Sequence, residues 1–180
     1  MTAMVATVVV FTGLPGTGKS TLAEQLARDT GTPAFAGDWL LGAVAPYRVL
    51  HHLDRASYLS LYHNLLLTLV TRQLMLGQSA IVDGLLTDEL AERWREVAGG
   101  YGAELIIVEC VCGDVEVHRS RVAGRRRNIP GWHEIDWDHV DRMRAEFAPL
   151  TVPRLTVDAV DPLADNLRLV RAELDGRLAR

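Results

Sequence analysis

The sequence predicts an α/β fold, a parallel sheet of five strands with helices on both faces. Five short apolar runs alternate along the chain with segments whose apolar residues recur at helical spacing. Strands that alternate with helices form parallel units with right-handed crossovers, and such units place helices on both faces of the sheet. With 180 residues, the chain is long enough for one domain, residues 1–180, with a core of its own.

The predicted elements follow from where each apolar run begins and ends. The predicted strands lie at residues 4–12, 33–37, 80–82, 104–112 and 154–158. The predicted helices lie near residues 19–29, 39–44, 55–77, 88–98, 114–124, 136–147 and 162–178. Ligands of parallel sheets bind beyond the carboxyl ends of the strands, so the residues that close a strand are the first candidates for a site.

The first strand leads directly into Gly13-Leu14-Pro15-Gly16-Thr17-Gly18-Lys19-Ser20, a G-x-x-x-x-G-K-S phosphate-binding loop. Glycines allow the backbone to form a concave nest whose N–H groups point at phosphate oxygens, and the following helix adds its unpaired donors and its dipole. Lys19 can then reach the β- and γ-phosphates of a nucleotide, and the Ser20 hydroxyl can bind Mg²⁺. The residues predicted to bind the nucleotide are Gly13, Gly16, Thr17, Gly18, Lys19, Ser20 and Thr21.

The composition singles out the same loop. The chain contains 18 arginines and one lysine, and that lysine is Lys19. Because arginine is used at every other cationic position, a lone ammonium in this loop indicates that a compact point charge is needed there. The alternative, an ordinary glycine-rich turn, explains neither the flanking strand and helix nor the single lysine.

Three predicted strands end at an acidic residue. Asp38 follows the second strand, where its carboxylate could accept a hydroxyl proton from a substrate that faces the γ-phosphate; alternatively, it only caps the following helix. Asp83 follows the third strand and is typical of a Walker-B acid, which holds Mg²⁺ directly or through water; alternatively, the Asp83-Gly84 pair forms a turn. Asp158 closes the last strand, and we assign it no catalytic role.

An arginine cluster stands at the end of the helix predicted near residues 114–124, before a loop that contains Gly and Pro. Its members are Arg119, Arg121, Arg125, Arg126 and Arg127. One interpretation is a solvated basic face, which the helix dipole favours. The other is a lid of about residues 125–135, with Trp132 and His133 at its tip, whose arginines stabilise the charge that develops on the γ-phosphate.

The segment from residue 39 to residue 78 is the least determined. We interpret one face of its long helix as core packing, and that face carries Tyr58, Leu61, Leu65, Thr68, Leu69 and Arg72. A further hypothesis is that polar and aromatic side chains of this segment contact the second substrate. These side chains are Trp39, Tyr47, Arg48, His51 and His52. The two adjacent histidines have no carboxylate or cysteine partner at metal-ligand spacing.

Charge and composition argue against several classes of protein. A net charge of −4 gives no field that would draw the chain to nucleic acid or to an anionic membrane, so neither is expected as a partner. Polar residues interrupt the apolar stretch from Leu65 to Leu76, and residues 1–4 lack a signal-peptide pattern. Cys110 and Cys112 would share one face of a strand, so we expect two reduced core thiols in a cytoplasmic protein.

These residues together resemble the small P-loop kinases, nearest to the zeta-toxin-like and chloramphenicol phosphotransferase-like proteins, which are often labelled AAA-family ATP-binding proteins. The resemblance rests on the loop from Gly13 to Thr21, on Asp38, on Ile81-Val82-Asp83 and on the segment from Arg121 to Arg125. It implies a three-layer P-loop NTPase fold with the strand order 2-3-1-4-5, ATP with Mg²⁺, and a lid. It also implies that Asp38 is the base toward the acceptor hydroxyl and that Arg121 and Arg125 form the R-x-x-x-R motif of the lid.

The predicted function is transfer of the γ-phosphate of ATP to a hydroxyl of a small molecule, which could be antibiotic-like, a sugar acid or nucleoside-like. Positioning and electrostatics carry most of the catalysis of phosphoryl transfer. The residues predicted to supply them are Asp38, Lys19, Arg121 and Arg125, and Mg²⁺ would be bound by Ser20 and Asp83. Two alternatives stay open, a 5′-hydroxyl polynucleotide kinase and a nucleotide-dependent regulatory ATPase or binding module. GTP is not expected, because its Thr-Lys-x-Asp or Asn-Lys-x-Asp segment needs a second lysine.

Overall fold

The computed structural model describes residues 5–178, and its central feature is a parallel five-stranded sheet in the order β2-β3-β1-β4-β5. Both the architecture and the strand order expected for a P-loop NTPase fold are therefore confirmed. Met4, which the pattern places in the first strand, lies outside the described residues. The strands are β1 (Thr7–Thr12), β2 (Ala34–Ala36), β3 (Ala80–Asp83), β4 (Glu104–Val111) and β5 (Leu155–Asp158).

The helices lie where the periodicity predicts them, and their ends differ from the prediction by only one or two residues. They are α1 (Lys19–Thr30), α2 (Gly37–Val44), α3 (Arg55–Met75), α4 (Asp88–Gly100), α5 (Val115–Ala123), α6 (Trp137–Glu146) and α7 (Leu163–Leu178). Side-chain oxygens accept hydrogen bonds from first-turn N–H groups of α3 to α6 and fix where these helices begin. These oxygens belong to Asp54, Thr87, Asp114 and Asp136.

The sheet separates two apolar cores. Val8 and Val10 of β1 belong to the core that includes buried residues of α3 and α4, whereas Val9 and Phe11 belong to the core that includes buried residues of α1 and α7. Successive side chains of a strand point to opposite faces, so one continuous apolar run fills both cores. Because β1 is the middle strand, the loop that follows it is held at the centre of the carboxyl edge of the sheet.

The buried face of α3 differs from the predicted one. The side chains of this helix that are most deeply buried are Tyr62, His63, Leu66, Leu67, Val70 and Leu74, whereas Thr68 and Arg72 are exposed. Tyr58, Leu61, Leu65 and Leu69 are half-buried beside that face. The prediction was wrong in phase because leucines occur around most of this helix, and spacing alone then fixes the period without fixing which side meets the sheet.

Both cysteines are free thiols, as expected. Cys110 is buried in the core, and this burial raises the pKa of its thiol to about 12. Cys112 is only half-buried, and its Sγ lies 3.4 Å from the carbonyl oxygen of Asp114. Within residues 5–178, no helix combines the length and the apolar character that crossing a membrane requires.

Candidate active site

The loop after β1 folds tightly because three of its glycines have positive φ, 138° at Gly13, 87° at Gly16 and 79° at Gly18. A Cβ atom on Gly13 would lie 2.2 Å from the carbonyl oxygen of Cys110, so only glycine fits there. The Thr17 hydroxyl donates a 2.8 Å hydrogen bond to the carbonyl of Leu14 and closes the loop from within. Gly18 begins α1 without a capping side chain, so first-turn N–H groups stay available for an anion.

A buried histidine of α5 supports this loop from behind. His118 is 3% exposed, and its Nε2 lies 2.7 Å from the carbonyl oxygen of Pro15, to which it donates a hydrogen bond. The edge of its ring packs on Trp137 of α6 at 5.0 Å between ring centroids. The sequence did not predict this role of His118, because a single histidine in a helix gives no indication that it contacts the loop after β1. The contact links the phosphate-binding loop to the helices on either side of the predicted lid.

A large cleft of about 540 Å³ opens over the loop. Its walls are the loop and the start of α1, the arginine-rich segment after α5, and the segment from Ala159 to Asn166. Ligand pockets for molecules of nucleotide size have volumes of several hundred Å³, so the cleft has room for a nucleotide. The predicted binding residues Gly16, Thr17, Gly18, Lys19, Ser20 and Thr21 all line it. Gly13 lines a second cavity instead.

The wall formed after β5 was not predicted as part of the site. Asp158 at the end of β5 accepts hydrogen bonds from the backbone N–H of Gly113 at 3.1 Å and of Val160 at 2.9 Å. Asn166 of α7 is 3% exposed and donates through Nδ2 to the Asp158 carbonyl at 2.7 Å. Asp158 thus ties the loop after β4 to the loop after β5, which gives it a structural role.

The acid predicted as the base and the acid predicted to bind the metal meet at one guanidinium. Asp38 is the second residue of α2, whose N-cap is Ala36, so the alternative that Asp38 caps this helix is wrong. Asp83 is the last residue of β3, and its side chain is 8% exposed. Arg127 forms a close ion pair with Asp38 through Nη1, and its Nη2 lies 3.9 Å from Oδ2 of Asp83. The fold therefore brings the carboxyl ends of β2 and β3 and the predicted lid segment to the same point.

The arginine cluster divides into two groups. Arg121, Arg125, Arg126 and Arg127 line the large cleft. Arg119 faces elsewhere, because its guanidinium lies over the ring of Trp137 at 5.1 Å and its Nη1 is 3.9 Å from Glu116. Burial and the neighbouring Arg127 lower the pKa of Arg125. Among these arginines, only Arg127 pairs with both acids in the described part of the chain.

The segment predicted to be a lid packs on α2 through a glycine. A Cβ atom on Gly42 would lie 2.5 Å from the carbonyl oxygen of Pro130 and 3.1 Å from Cγ2 of Ile129. Ile129 is buried, although it belongs to a loop between helices. The backbone N–H of Arg127 donates to the Glu134 carboxylate at 2.8 Å, which joins the two ends of the segment. These contacts hold Arg127 over the carboxyl edge of the sheet.

A small cavity of about 110 Å³ adjoins the loop on the side of β3 and α3. Polar groups that line it include Lys19, Asp38 and Asp83. Apolar and aromatic residues make up much of its remaining wall, and they are Tyr58, Leu59, Tyr62, Leu85, Trp132, Ile135 and Met143. Lys19 lines both the large cleft and the small cavity, so it stands where the two spaces meet.

The hypothesis on the segment after α2 finds little support in the structure. Trp39 is half-exposed and lines the large cleft. Tyr47, Arg48, His51 and His52 are exposed, and they line neither the large cleft nor the small cavity. The small cavity is lined instead by residues of α3 and of the predicted lid segment.

The residues predicted to bind Mg²⁺ suit the ion. Within residues 5–178, no cluster of three or more His, Cys, Asp and Glu side chains forms an all-protein metal site. Mg²⁺ beside a nucleotide uses few protein ligands and takes the rest of its shell from phosphates and water. Ser20 and the buried Asp83 both line a third cavity between α1 and β2, so two oxygen donors of the type that Mg²⁺ prefers border one space.

Comparison with known proteins gives the family of the chain. A family model described as AAA domain, AAA_33, matches residues 8–150, whereas no curated protein matches the sequence. A sugar kinase from Janibacter sp. HTCC2649 has a TM-score of 0.70 at 18% identity, over 94% of this chain and 95% of that protein. A gluconokinase from Sinorhizobium meliloti 1021 has a TM-score of 0.65 at 22% identity, over 92% of this chain and 89% of that protein.

A third solved structure, a candidate kinase from Chloroflexus aurantiacus J-10-fl, has a TM-score of 0.69 at 23% identity, over 93% of this chain and 98% of that protein. Identities this low establish a common fold and no more. The family match begins in β1, includes the phosphate-binding loop and both acids, and ends after α6. Because that match extends over most of the chain, the protein belongs to the AAA_33 family of AAA domains.

Proposed function

We propose that this protein is an ATP- and Mg²⁺-dependent kinase that transfers the γ-phosphate to a hydroxyl of a small molecule. The observation that carries the proposal is the meeting of Asp38, Asp83 and Arg127 beside Lys19, where the large cleft adjoins the small cavity. A kinase needs a site for each substrate, and a base and a cation between the two sites. In this arrangement the two cavities are the sites, Asp38 is the base, and Lys19 and Arg127 are the cations. The kinases with the same fold support the chemistry.

In this proposal the large cleft binds the nucleotide. The loop N–H groups and Lys19 hold the β- and γ-phosphates, and the Ser20 hydroxyl with the Asp83 carboxylate would hold the metal ion. Mg²⁺, when bound with the nucleotide, neutralises charge on the two terminal phosphates. Arg121 and Arg125, which also line the large cleft, add positive charge there.

Asp38 acts as the base toward the acceptor hydroxyl, and Arg127 controls when it can do so. A guanidinium that pairs with a carboxylate competes with the acceptor hydroxyl for its lone pairs and stabilises its ionised form. We propose that the γ-phosphate attracts Arg127 away from Asp38 when the nucleotide binds, which frees the base and places a cation on the transferred group. The lid, about residues 125–135, carries out this movement.

We also propose a group within the P-loop kinases to which this protein is most similar. The loop motif, the position of Asp38 and the R-x-x-x-R spacing of Arg121 and Arg125 favour a place among the zeta-toxin-like and chloramphenicol phosphotransferase-like kinases. The net charge of −4 favours a small-molecule acceptor over a polynucleotide end, because polynucleotide binding depends on positive charge that neutralises phosphates.

The test is the exchange Asp38→Asn, which keeps the shape of the side chain and removes its basicity. We expect ATP affinity within a few-fold of the unchanged protein and a fall of about 100-fold or more in the rate of transfer, because general bases typically contribute factors of 10² to 10⁴. Isothermal calorimetry measures the ATP affinity. The rate of transfer is measured as the formation of phosphorylated acceptor. Asp175→Asn, on the exposed face of α7, is the matched control.

Other outcomes identify other functions. A loss of transfer below about tenfold in Asp38→Asn would remove Asp38 from the role of base. Turnover that requires a 5′-hydroxyl oligonucleotide, with affinity that falls steeply as salt rises, would indicate a polynucleotide kinase. ATP hydrolysis that no hydroxyl compound changes would indicate a regulatory ATPase.

A further inference from the structure

Most of the wall surface of the small cavity is apolar. Three of its residues are aromatic, Tyr58, Tyr62 and Trp132, and aliphatic or thioether side chains from α3, α6 and the lid stand between them. The Tyr62 hydroxyl oxygen already accepts a hydrogen bond from the backbone N–H of Leu85 at 3.1 Å. A molecule enclosed here therefore contacts mainly apolar surface, which favours an apolar or aromatic body.

Arg55, the arginine that lines the small cavity, is already paired with a carboxylate. Arg55, at the start of α3, holds Glu146 at the end of α6 in a two-pronged ion pair, with Nε–Oε1 and Nη2–Oε2 distances of 2.7 Å each. The same guanidinium packs over the rings of Tyr58 and Phe147 at 5.6 and 6.0 Å. Two planar hydrogen bonds and two ring contacts leave this arginine little capacity for a ligand carboxylate.

The other basic groups around the cavity do not replace it. Burial, Arg142 and His133 lower the pKa of His139, so this imidazole is neutral near pH 7. His133 is exposed and its ring lies against Trp132 at 4.8 Å. Lys19 belongs to the phosphate-binding loop. With Lys19 engaged by the nucleotide phosphates, a carboxylate bound here would face Asp38 and Asp83 beside an arginine, Arg55, that is already paired with Glu146. Burying a charge without a partner is costly.

We propose that the small cavity selects an uncharged alcohol with an aromatic or apolar body and rejects sugar acids and other carboxylated alcohols. This inference rests on the proposed function only in placing the acceptor in that cavity. It predicts a different specificity from that named for the gluconokinase of the same fold, because there the acceptor carries a carboxylate whereas here Glu146 occupies the available guanidinium.

The experiment compares two pairs of probes that differ by a carboxylate: benzyl alcohol with 4-(hydroxymethyl)benzoate, and glucose with gluconate. Binding to the protein with a non-hydrolysable ATP analogue and Mg²⁺ is measured by calorimetry, and ATP-dependent phosphorylation is measured separately. We expect benzyl alcohol to bind at least about tenfold more tightly than its carboxylated partner, and gluconate to bind least, since an unpaired buried charge loses at least the strength of one charged hydrogen bond.

A variant of Glu146 tests whether the pairing of Arg55 causes this preference. Glu146→Gln frees Arg55, and we expect it to raise the affinity for 4-(hydroxymethyl)benzoate by about tenfold relative to that for benzyl alcohol. Asp141→Asn on the same helix, which breaks the exposed pair with Arg144, is the matched control and should leave this ratio unchanged. An unchanged ratio in Glu146→Gln would show that Arg55 does not set the preference.

The outcomes separate this inference from the proposed function. Preference for either carboxylated probe, or no binding of the aromatic probes at 10 mM while the ATP analogue binds, overturns the inference. The expected binding order without phosphorylation of any probe supports the inference and counts against the kinase function, whereas phosphorylation of gluconate alone supports the kinase function and overturns the inference.

Discussion

At the scale of single residues, Arg127 is the most informative side chain of the structure. It is held by a close pair with Asp38 and by Asp83 at 3.9 Å, with its own side chain only 14% exposed. The sequence predicted that arginines of this segment reach the site, and the R-x-x-x-R spacing pointed to Arg121 and Arg125. It could not single out Arg127, since the contact depends on how the loop after α5 turns back over α2.

Replacing Arg127 tests whether this side chain serves the transferred phosphate. We expect Arg127→Ala to lower the rate of transfer by about 100-fold or more with a much smaller change in ATP affinity, because arginines placed on a γ-phosphate typically contribute factors of 10³ to 10⁵. Steady-state kinetics and calorimetry separate the two effects. Arg119→Ala, at a cluster member that packs on Trp137, should leave both within a few-fold. Equal losses in the two variants would refute the role.

His63 is a buried histidine that the proposed mechanism does not use. It is 6% exposed, its ring packs edge-on against Tyr62, and its Nδ1 has no hydrogen-bond partner among the described residues. Burial, with a smaller contribution from Arg93, lowers its pKa from 6.5 to about 4. The folded protein therefore takes up this proton at lower pH than the unfolded chain does.

The shift of His63 predicts a pH dependence of stability. Because the folded pKa is lowered, stability is full above about pH 6.5 and falls as the pH drops toward 4, by up to about 3 kcal/mol. We expect His63→Leu to flatten the curve of Tm against pH in this interval, and His52→Leu, at an exposed position, to leave it unchanged. Thermal unfolding followed by circular dichroism measures both. A curve of unchanged slope in His63→Leu would contradict the assignment.

At the scale of elements, α5 supports the phosphate-binding loop. The hydrogen bond from His118 to the Pro15 carbonyl is buried, so removal of the donor leaves an unsatisfied carbonyl at a cost of about 1–3 kcal/mol. We expect His118→Leu to lower Tm and to weaken ATP binding about tenfold, and His118→Gln, which keeps a donor at a similar reach, to recover much of the affinity. Loss of stability in His118→Leu with unchanged ATP affinity would limit His118 to a structural role.

Element positions were largely predictable, and element orientations were not. Helix and strand ends followed from caps, glycines and apolar runs that are local in the sequence, such as the Asp54 side chain at the start of α3. The face of α3 that meets the sheet is decided by long-range packing against β3 and α4, and nothing within a leucine-rich helix encodes it. Because helix orientation was not predicted, the sequence also did not indicate that Tyr58 and Met143 line the small cavity.

At the scale of the whole molecule, alternating strands and helices predicted the layers, and one short motif predicted where the ligand edge lies. The strand order came from the resemblance to P-loop kinases, and the register of β1 with β3 and β4 confirms it. The site itself combines segments far apart in the chain, Lys19 from the first loop, Asp83 from the middle and Asn166 from the last helix. Spacing along the sequence gives no distance between such segments, so the shape of the two cavities had to come from the structure.

The position of the single lysine makes the protein unusually easy to label. Lys19 borders both cavities, and none of the other side chains in the 180 residues carries an aliphatic amine. An amine-reactive fluorophore therefore has one side-chain target, at the centre of the site. Protection of that target by ATP, read by mass spectrometry of tryptic peptides, would report nucleotide occupancy directly and without any knowledge of the acceptor.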